Sequence, residues 1–298
     1  MYHAHDGLPG LGPTWRSTLL GTPVDSGTHL HVNRTLVGAV GALIARAGPD
    51  VALLQEVPPW AVARIAALAG MAEVHALTAP RIGPAWLRAP VGRTSPDLVR
   101  THEGNANAVL VRAPWAIVPG SVRRVRLAPC GVVRRVARAR RIGLRATVDW
   151  AWERRGLVTA RIRHPDGLLL QVGSLHCHTD RRVNDVEAGR AGRAAAHLAG
   201  ELPVLLGGDL NARLGRDAAA FAALAAAGLT PVTASGAPDG GLGIDHVLVR
   251  GLEAVGPARR WRPEEREVTV PWRGGTRRIR VSDHDPVEAA VRLPVRGS

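Results

Sequence analysis

Five places in the chain put a residue capable of proton, phosphate or metal chemistry at the end of an apolar run. The first four are "VALLQE" at Glu56, "VGSLH" at His176, "LLGGDLN" at Asp209 and Asn211, and "GIDH" at Asp245. In the fifth, "SDHDP" opens the final run with Asp283 and His284. An apolar strand fixes the direction of its terminal side chains. Carboxylates, amides and imidazoles at several strand ends therefore make one convergent site when those ends lie side by side. Any one of them alone reads as a solvated loop residue; the set reads as a site.

The stretch "VGSLHCHTD", residues 172–180, raises a question of its own. Side chains alternate faces along a strand, so His176 and His178 reach one cation only if the strand has already ended and the chain turns. A zinc site of the His-x-His-x-Asp kind and a single working histidine beside a bystander are both open on this stretch alone.

The elements that must position these residues alternate between helical and strand periods without a linker, an internal repeat or a low-complexity tail. Apolar residues 36, 37, 40, 43, 44 and 47 recur at helical spacing before a "GPD" stop. "VALLQEV" comes next as a buried strand, and "PPWAVARIAALAG" as a helix with proline at its start and glycine at its end. Residues 71–106 read as a Pro/Gly-interrupted surface segment. "GLRATVDW", "GLVTARI" and "GLLLQVGSL" read as strands, 182–199 as a helix, "LPVLLGG" as a buried strand and 217–227 as a helix. "GIDHVLV" and "DPVEAAVRL" close the chain. The pattern is that of a mixed α/β domain occupying all 298 residues.

Composition narrows the partners. A hydrophobic fraction of 46% suits a globular core and excludes a disordered chain. No apolar run reaches the roughly 18 residues of a membrane span, and the N-terminal "MYHAHDGLPG" has no signal-peptide pattern, so the cytoplasm is the expected compartment. Two cysteines, Cys130 and Cys177, give no disulfide framework. The net charge of +14 is carried by arginine, with no lysine in the chain. Guanidinium forks suit phosphates, and the runs 123–126, 134–141 and 259–266 offer a polyanion groove. A GC-driven codon bias would raise arginine everywhere and account for the same excess. Trp86, in the 71–106 segment, reads as a base-stacking or lipid-facing residue if it does not simply pack. His29 and His31 read as solvated or capping residues.

Taken in order, "PDVALLQEV", "GNANAVLV", "GSLHCHTD", "LLGGDLNAR", "GIDHVLV" and "SDHDPV" resemble the endonuclease/exonuclease/phosphatase superfamily, over about residues 49–293. The resemblance implies a four-layer α/β sandwich, two face-to-face mixed β-sheets flanked by helices, with the site at one end. It implies a Mg²⁺-dependent phosphoesterase, with Mn²⁺ as a substitute, that hydrolyses a phosphodiester with an activated water. Glu56 is then the acidic ligand of the ion and Asp283 a further acid on the metal side. His176 and His284 flank the scissile phosphate, Asp245 orients His284, Asp209 and Asn211 position the water and the phosphate oxygens, and the base is either Asp209 or His284. Asn107 falls in the Gly-Asn-Ala stretch as a phosphate contact. A monomer is expected, acting on a phosphate ester, with nucleic acid slightly favoured over lipid or inositol phosphate.

Two alternatives stay beside this reading. One is a catalytically impaired scaffold of the same fold that binds phosphate ligands. The other is a zinc hydrolase using "HCHTD", but Arg181 stands where such hydrolases of the metallo-β-lactamase type need a further histidine. On the superfamily reading His178 and Asp180 form a pair at the rim of the site, and Cys177 is a small buried filler. Superfamily members begin with a strand ending in Trp-Asn, whereas "MYHAHDGLPG" is similar to the stretch just after that asparagine. The first strand is therefore expected to be missing, and Asn33 lies too far along to replace its asparagine.

Overall fold

The computed structural model describes residues 36–78, 86, 105–152, 155–232, 243–272, 274–282 and 284–293, with the backbone of a short antiparallel pair, Val24–Asp25 against Leu30–His31. The expected absence of a first strand, the role of Asn33 and the metal role of Asp283 lie outside the described residues.

The chain first builds a small sheet and its cover. Helix α1 (Val37–Ala47) stops where Gly48 takes a left-handed conformation and donates its N–H to Ile44 O. Strand β1 (Val51–Val57) leads through Pro58 into helix α2 (Pro59–Ala69), which has proline in its first turn and ends at left-handed Gly70. Strands β2 (Met71–Leu77) and β3 (Ala106–Arg112) complete an antiparallel sheet of order β1-β3-β2. Residues 71–77 are thus a strand, not the surface segment the Pro/Gly content of 71–106 suggested. They pair with β3 over their whole length, a gain that a local reading misses. Val37, Val62, Ile65 and Ala66 of the two helices pack with Ala108 and Leu110 of β3 on one face.

The larger sheet contains β4 (Ala116–Ile117), β5 (Arg123–Arg126), β6 (Gly156–Arg163), β7 (Leu169–His176), β8 (Val204–Asp209), β9 (Thr230–Pro231) and β10 (Asp245–Arg250). Its order is β9-β10-β8-β7-β6-β4, with β5 also on β6. Only β7 and β8, among its described pairs, run parallel, joined by the crossover helix α5 (Arg181–Ala199). Ala188, Ala191 and Ala195 of α5 and Phe221 and Leu224 of helix α6 (Ala218–Ala225) pack on Leu175, Leu206 and Leu248 of this sheet. Val109 and Val111 of β3 meet Val158, Ile162 and Val172 of β6 and β7. One sheet therefore packs on the other, and each carries helices.

Between β5 and β6 stand two helices, α3 (Cys130–Ala139) and α4 (Leu144–Trp152). Residues 144–150 are helical where the sequence reads 143–150 as a strand. Strand alternation would put Leu144, Ala146, Val148 and Trp150 on one face, whereas the helix turns Ala146 and Trp150 inward and leaves Leu144 and Val148 outside. The period-2 pattern is real but belongs to no sheet. A hairpin of β11 (Glu267–Trp272) and β12 (Gly275–Arg280) precedes the final site loop.

The approach of β8 to its neighbours depends on Gly208. Its φ is 142°, and a Cβ there would lie 1.9 Å from Leu175 O and 2.9 Å from Gln55 Nε2. Backbone on a paired strand cannot yield. Gly208→Ala is expected to cost about 3 kcal/mol or more and to lower the melting temperature by several degrees. Gly120→Ala, with φ 72° but open space around it, should cost about 1 kcal/mol from backbone strain alone. Equal effects in thermal melts would contradict the close-approach argument.

Candidate active site

The centre of the site is a row across three adjacent strands. Asp209 ends β8 opposite His176 on parallel β7 and opposite Asp245 on antiparallel β10. Strand spacing alone thus sets Asp209 about 4.8 Å from each of its two neighbours in the row. Asp209 is 6% exposed and His176 3%. His176 Nε2 lies 3.4 Å from Asp209 Oδ2.

Beyond the strand end, the chain folds back on Asp209. Asn211 is left-handed at φ 48°, a conformation asparagine tolerates, and its N–H donates to Asp209 Oδ1 at 2.7 Å. Its Nδ2 donates to Cys177 O at 2.9 Å and stands 3.3 Å from His176 Nε2. The amide side chain therefore ties the ends of β7 and β8 together.

His284 comes from a loop and is aimed by two devices. Its Nδ1 is 2.8 Å from Asp245 Oδ2 and 4.0 Å from Asp209 Oδ2. Buried Arg266 donates to Ser282 O at 2.8 Å and His284 O at 2.6 Å, and pairs with Asp285. That arginine belongs to the 259–266 run, which does not form a free polyanion groove: Arg259 is held by Glu265 and Glu288, and Arg260 reaches Asp245 O at 3.3 Å.

Glu56 approaches from the other sheet. The β1–β3 register shifts between Leu54 and Val57, and Glu56 sits at φ 54°, a strained angle for glutamate. The bulge sends its carboxylate to the His176 side, with Oε1 3.8 Å from His176 Nδ1 and 3.6 Å from Arg155 Nη1. Arg155 Nη1 in turn stands 2.6 Å from the nitrogens of the His176 ring.

The sequence matches the Endonuclease/Exonuclease/phosphatase family over residues 33–284. The chain belongs to this family. Among solved structures, a mannosyl-6-phosphatase of Bacteroides thetaiotaomicron superposes with a TM-score of 0.60 at 13% identity, over 86% of this chain and 90% of that one. An endonuclease/exonuclease/phosphatase of Beutenbergia cavernae gives 0.56 at 19%, over 86% of this chain and 66% of that one. The human Nocturnin catalytic domain with bound sulfate gives 0.50 at 14%, over 72% and 77%. These likenesses show the fold. No curated protein matches the sequence.

Of the residues singled out in the sequence, Glu56, His176, Asp209, Asn211, Asp245 and His284 come together. Asn107 does not join them. It is fully buried in β3 and donates to Gly156 O at 2.8 Å, beside Arg155, where it braces the start of β6. His178 is not at a rim either: it is buried, and Asp180 donates its N–H to His178 Nδ1 at 2.9 Å while capping α5. The strand ends at His176 and the next turn is committed to helix capping. Cys177 is wholly buried in the core, as a filler should be.

Three contributors escaped sequence reading. Arg155 was hidden among 39 basic residues, and its signal was its place just before β6, the strand paired to β7. Glu187 of α5, fully buried, accepts from Trp150 Nε1 at 2.7 Å and from the His178 N–H at 2.7 Å. Asn184, one turn earlier, donates to His178 O and Leu210 O. Helix α5 thus grips both loops that leave the site.

Burial and charge set the protonation states. Burial, reinforced by Arg155 and His284, pushes His176 well below the usual imidazole range, so it is neutral at pH 7. Burial, then the charge of Asp245, raises Asp209 from 3.8 to about 7 against the opposing pull of His284. Among the described residues, Asp209, Asp245 and His284 offer donor atoms within 4.8 Å of one another. Carboxylate oxygens with one imidazole, and no thiolate, suit a hard divalent cation.

A raised carboxyl pKa favours folding only in the protonated form. Its contribution is complete below about pH 4 and is lost as pH rises through about 7. In chelator, Asp209→Asn should therefore melt higher than the parent at pH 8, with the gap closing towards pH 4. A gap that widens on acidification would reverse the assignment. Glu187→Gln leaves two N–H donors competing for one acceptor. It should cost about 1–3 kcal/mol in thermal melts and lower kcat more than it raises KM, because the His178 loop loses its anchor.

Proposed function

We propose that the chain is a divalent-metal-dependent phosphodiesterase that attacks phosphorus with a positioned water. The observation that carries the reading is the row His176–Asp209–Asp245 with His284 seated on Asp245. A carboxylate flanked by two imidazoles is suited to moving a proton from water and delivering one to a leaving oxygen. The fold reading that goes with it is the four-layer sandwich, supported by the sheet-to-sheet cluster and by the helices packed on each sheet.

In this reading Asp209 accepts a hydrogen bond from the attacking water and Asn211 fixes the Asp209 carboxylate by its N–H. Asp245 holds His284 by Nδ1, leaving Nε2 to hold or pass the proton. Neutral His176 donates to a phosphate oxygen, and Arg155 balances the charge that gathers there. Glu56, with Asp283, is the acidic side for Mg²⁺ or Mn²⁺. Such an ion, when bound, neutralises phosphate charge and makes the water more acidic. A second arrangement rests on the Asp209–Asp245–His284 donor group, which would take the ion and remove His284 from proton transfer.

A monomer is the proposed working unit. The excess of 14 positive charges supports a phosphate-rich anionic substrate, for which nucleic acid is slightly favoured over lipid or inositol phosphate.

Hydrolysis of bis-p-nitrophenyl phosphate should require Mg²⁺ or Mn²⁺ and stop with EDTA. Activity with zinc alone would sink the reading, and phosphate binding without any cleavage would favour a scaffold. His176→Ala, Asp209→Ala and His284→Ala should each lower kcat by roughly 10²–10⁴-fold. Glu56→Ala should chiefly raise the Mg²⁺ concentration for half-maximal rate. If His284→Ala does that instead, the ion sits on the second donor group.

A further inference from the structure

Strand β5, helix α3 and the first turn of α4 carry charges of one sign, with Asp149 the exposed acid of α4. From Ala116 to Val148 the sequence holds nine arginines and neither aspartate nor glutamate. Val132, Val133 and Ala137 of α3 pack inward with Trp150 and Val183, which leaves Arg134, Arg135 and Arg138 exposed on the outer face, with Arg141 exposed just beyond the helix. Arg140 is the member that is spent, in a two-pronged pair with Asp185 at 2.6 and 2.8 Å.

Helix α4 adds a second feature. Leu144, Val148 and Trp152 are 81%, 54% and 62% exposed. Spaced four apart, they line one side of the helix at intervals of about 6 Å. Codon bias accounts for abundant arginine. It does not account for three large apolar side chains in solvent on a helix whose other side buries Trp150.

The two features together select the partner. Arginine forks suit any phosphate, but exposed leucine and valine gain nothing from a nucleic-acid backbone. An anionic lipid surface satisfies both, with guanidiniums among headgroups and Leu144, Val148 and Trp152 at the acyl boundary. No described helix is long and apolar enough to cross a membrane, so the contact is peripheral. Trp152 closes α4 three residues before Arg155, which touches His176.

We propose that the α3–α4 hairpin docks the protein on anionic lipid surfaces through the Arg134–Arg141 face and the Leu144–Val148–Trp152 stripe. The claim is independent of the hydrolytic reading because binding alone tests it. The full chain should co-sediment with vesicles of phosphatidylcholine and phosphatidylglycerol, weakly with phosphatidylcholine alone, and less as salt is raised. Leu144→Glu with Trp152→Glu should weaken vesicle binding by about tenfold or more, with an unchanged melting temperature. Arg134→Glu with Arg138→Glu should remove the preference for phosphatidylglycerol. Absence of binding to either vesicle, or equal binding by the Leu144/Trp152 variant, overturns the proposal. So does tighter binding of a single-stranded oligonucleotide that the arginine variant loses and the apolar variant keeps.

Discussion

The placement of Asp209 between His176 and Asp245 is the constraint on which the rest of the site depends. Sheet register puts two carboxylates on neighbouring strands, in a place where one of them is nearly cut off from water. Two such groups do not ionise together without a positive partner. The partners are supplied from elsewhere: His284 from a loop and Arg155 from the start of β6. Glu56, arriving from the other sheet on a strained bulge, meets the same Arg155. The two sheets thus meet around one patch of opposed charges, with Glu56 on one sheet and Asp209 on the other.

A set of backbone clamps keeps that patch in place. Helix α5 holds the loops after β7 and β8 through Asn184 and Glu187, and Arg266 holds the loop that bears His284. Each clamp is a buried polar side chain bonded to main-chain atoms of the loop it holds. Such bonds fix loop direction more firmly than surface ion pairs do, because losing one leaves a buried group unsatisfied. Trp150, bonded to Glu187, connects this machinery to the α3–α4 hairpin.

Arginine performs three separable tasks here, although the sequence presents it as one excess. Arg112 reaches Pro49 O and Ala69 O, tying the ends of α1 and α2 to β3, and Arg266 is wholly internal. Arg155 belongs to the site. The face from Arg134 to Arg141 belongs to the surface. Net charge alone cannot divide these roles, since each guanidinium contributes equally to it.

The sequence by itself determined the membership of the family, the strand ends that carry Glu56, His176, Asp209 and Asp245, and the helices with clear caps. Those features are local: an apolar run, a terminal polar residue and a stop at glycine or proline are written within a few positions of one another. Tertiary structure decided whatever depends on pairing and burial. Residues 71–77 became a strand because β3 lay beside them, and 144–150 a helix because Trp150 found Glu187. Asn107 went into the core, His178 was buried as the acceptor for Asp180, the cap of α5, and Arg155 was drawn out of a crowd of like residues to face His176. Apart from His178, whose partner is two residues away, the deciding partner lies far away in sequence, and side chains of identical local pattern acquire different surroundings only when distant strands come together.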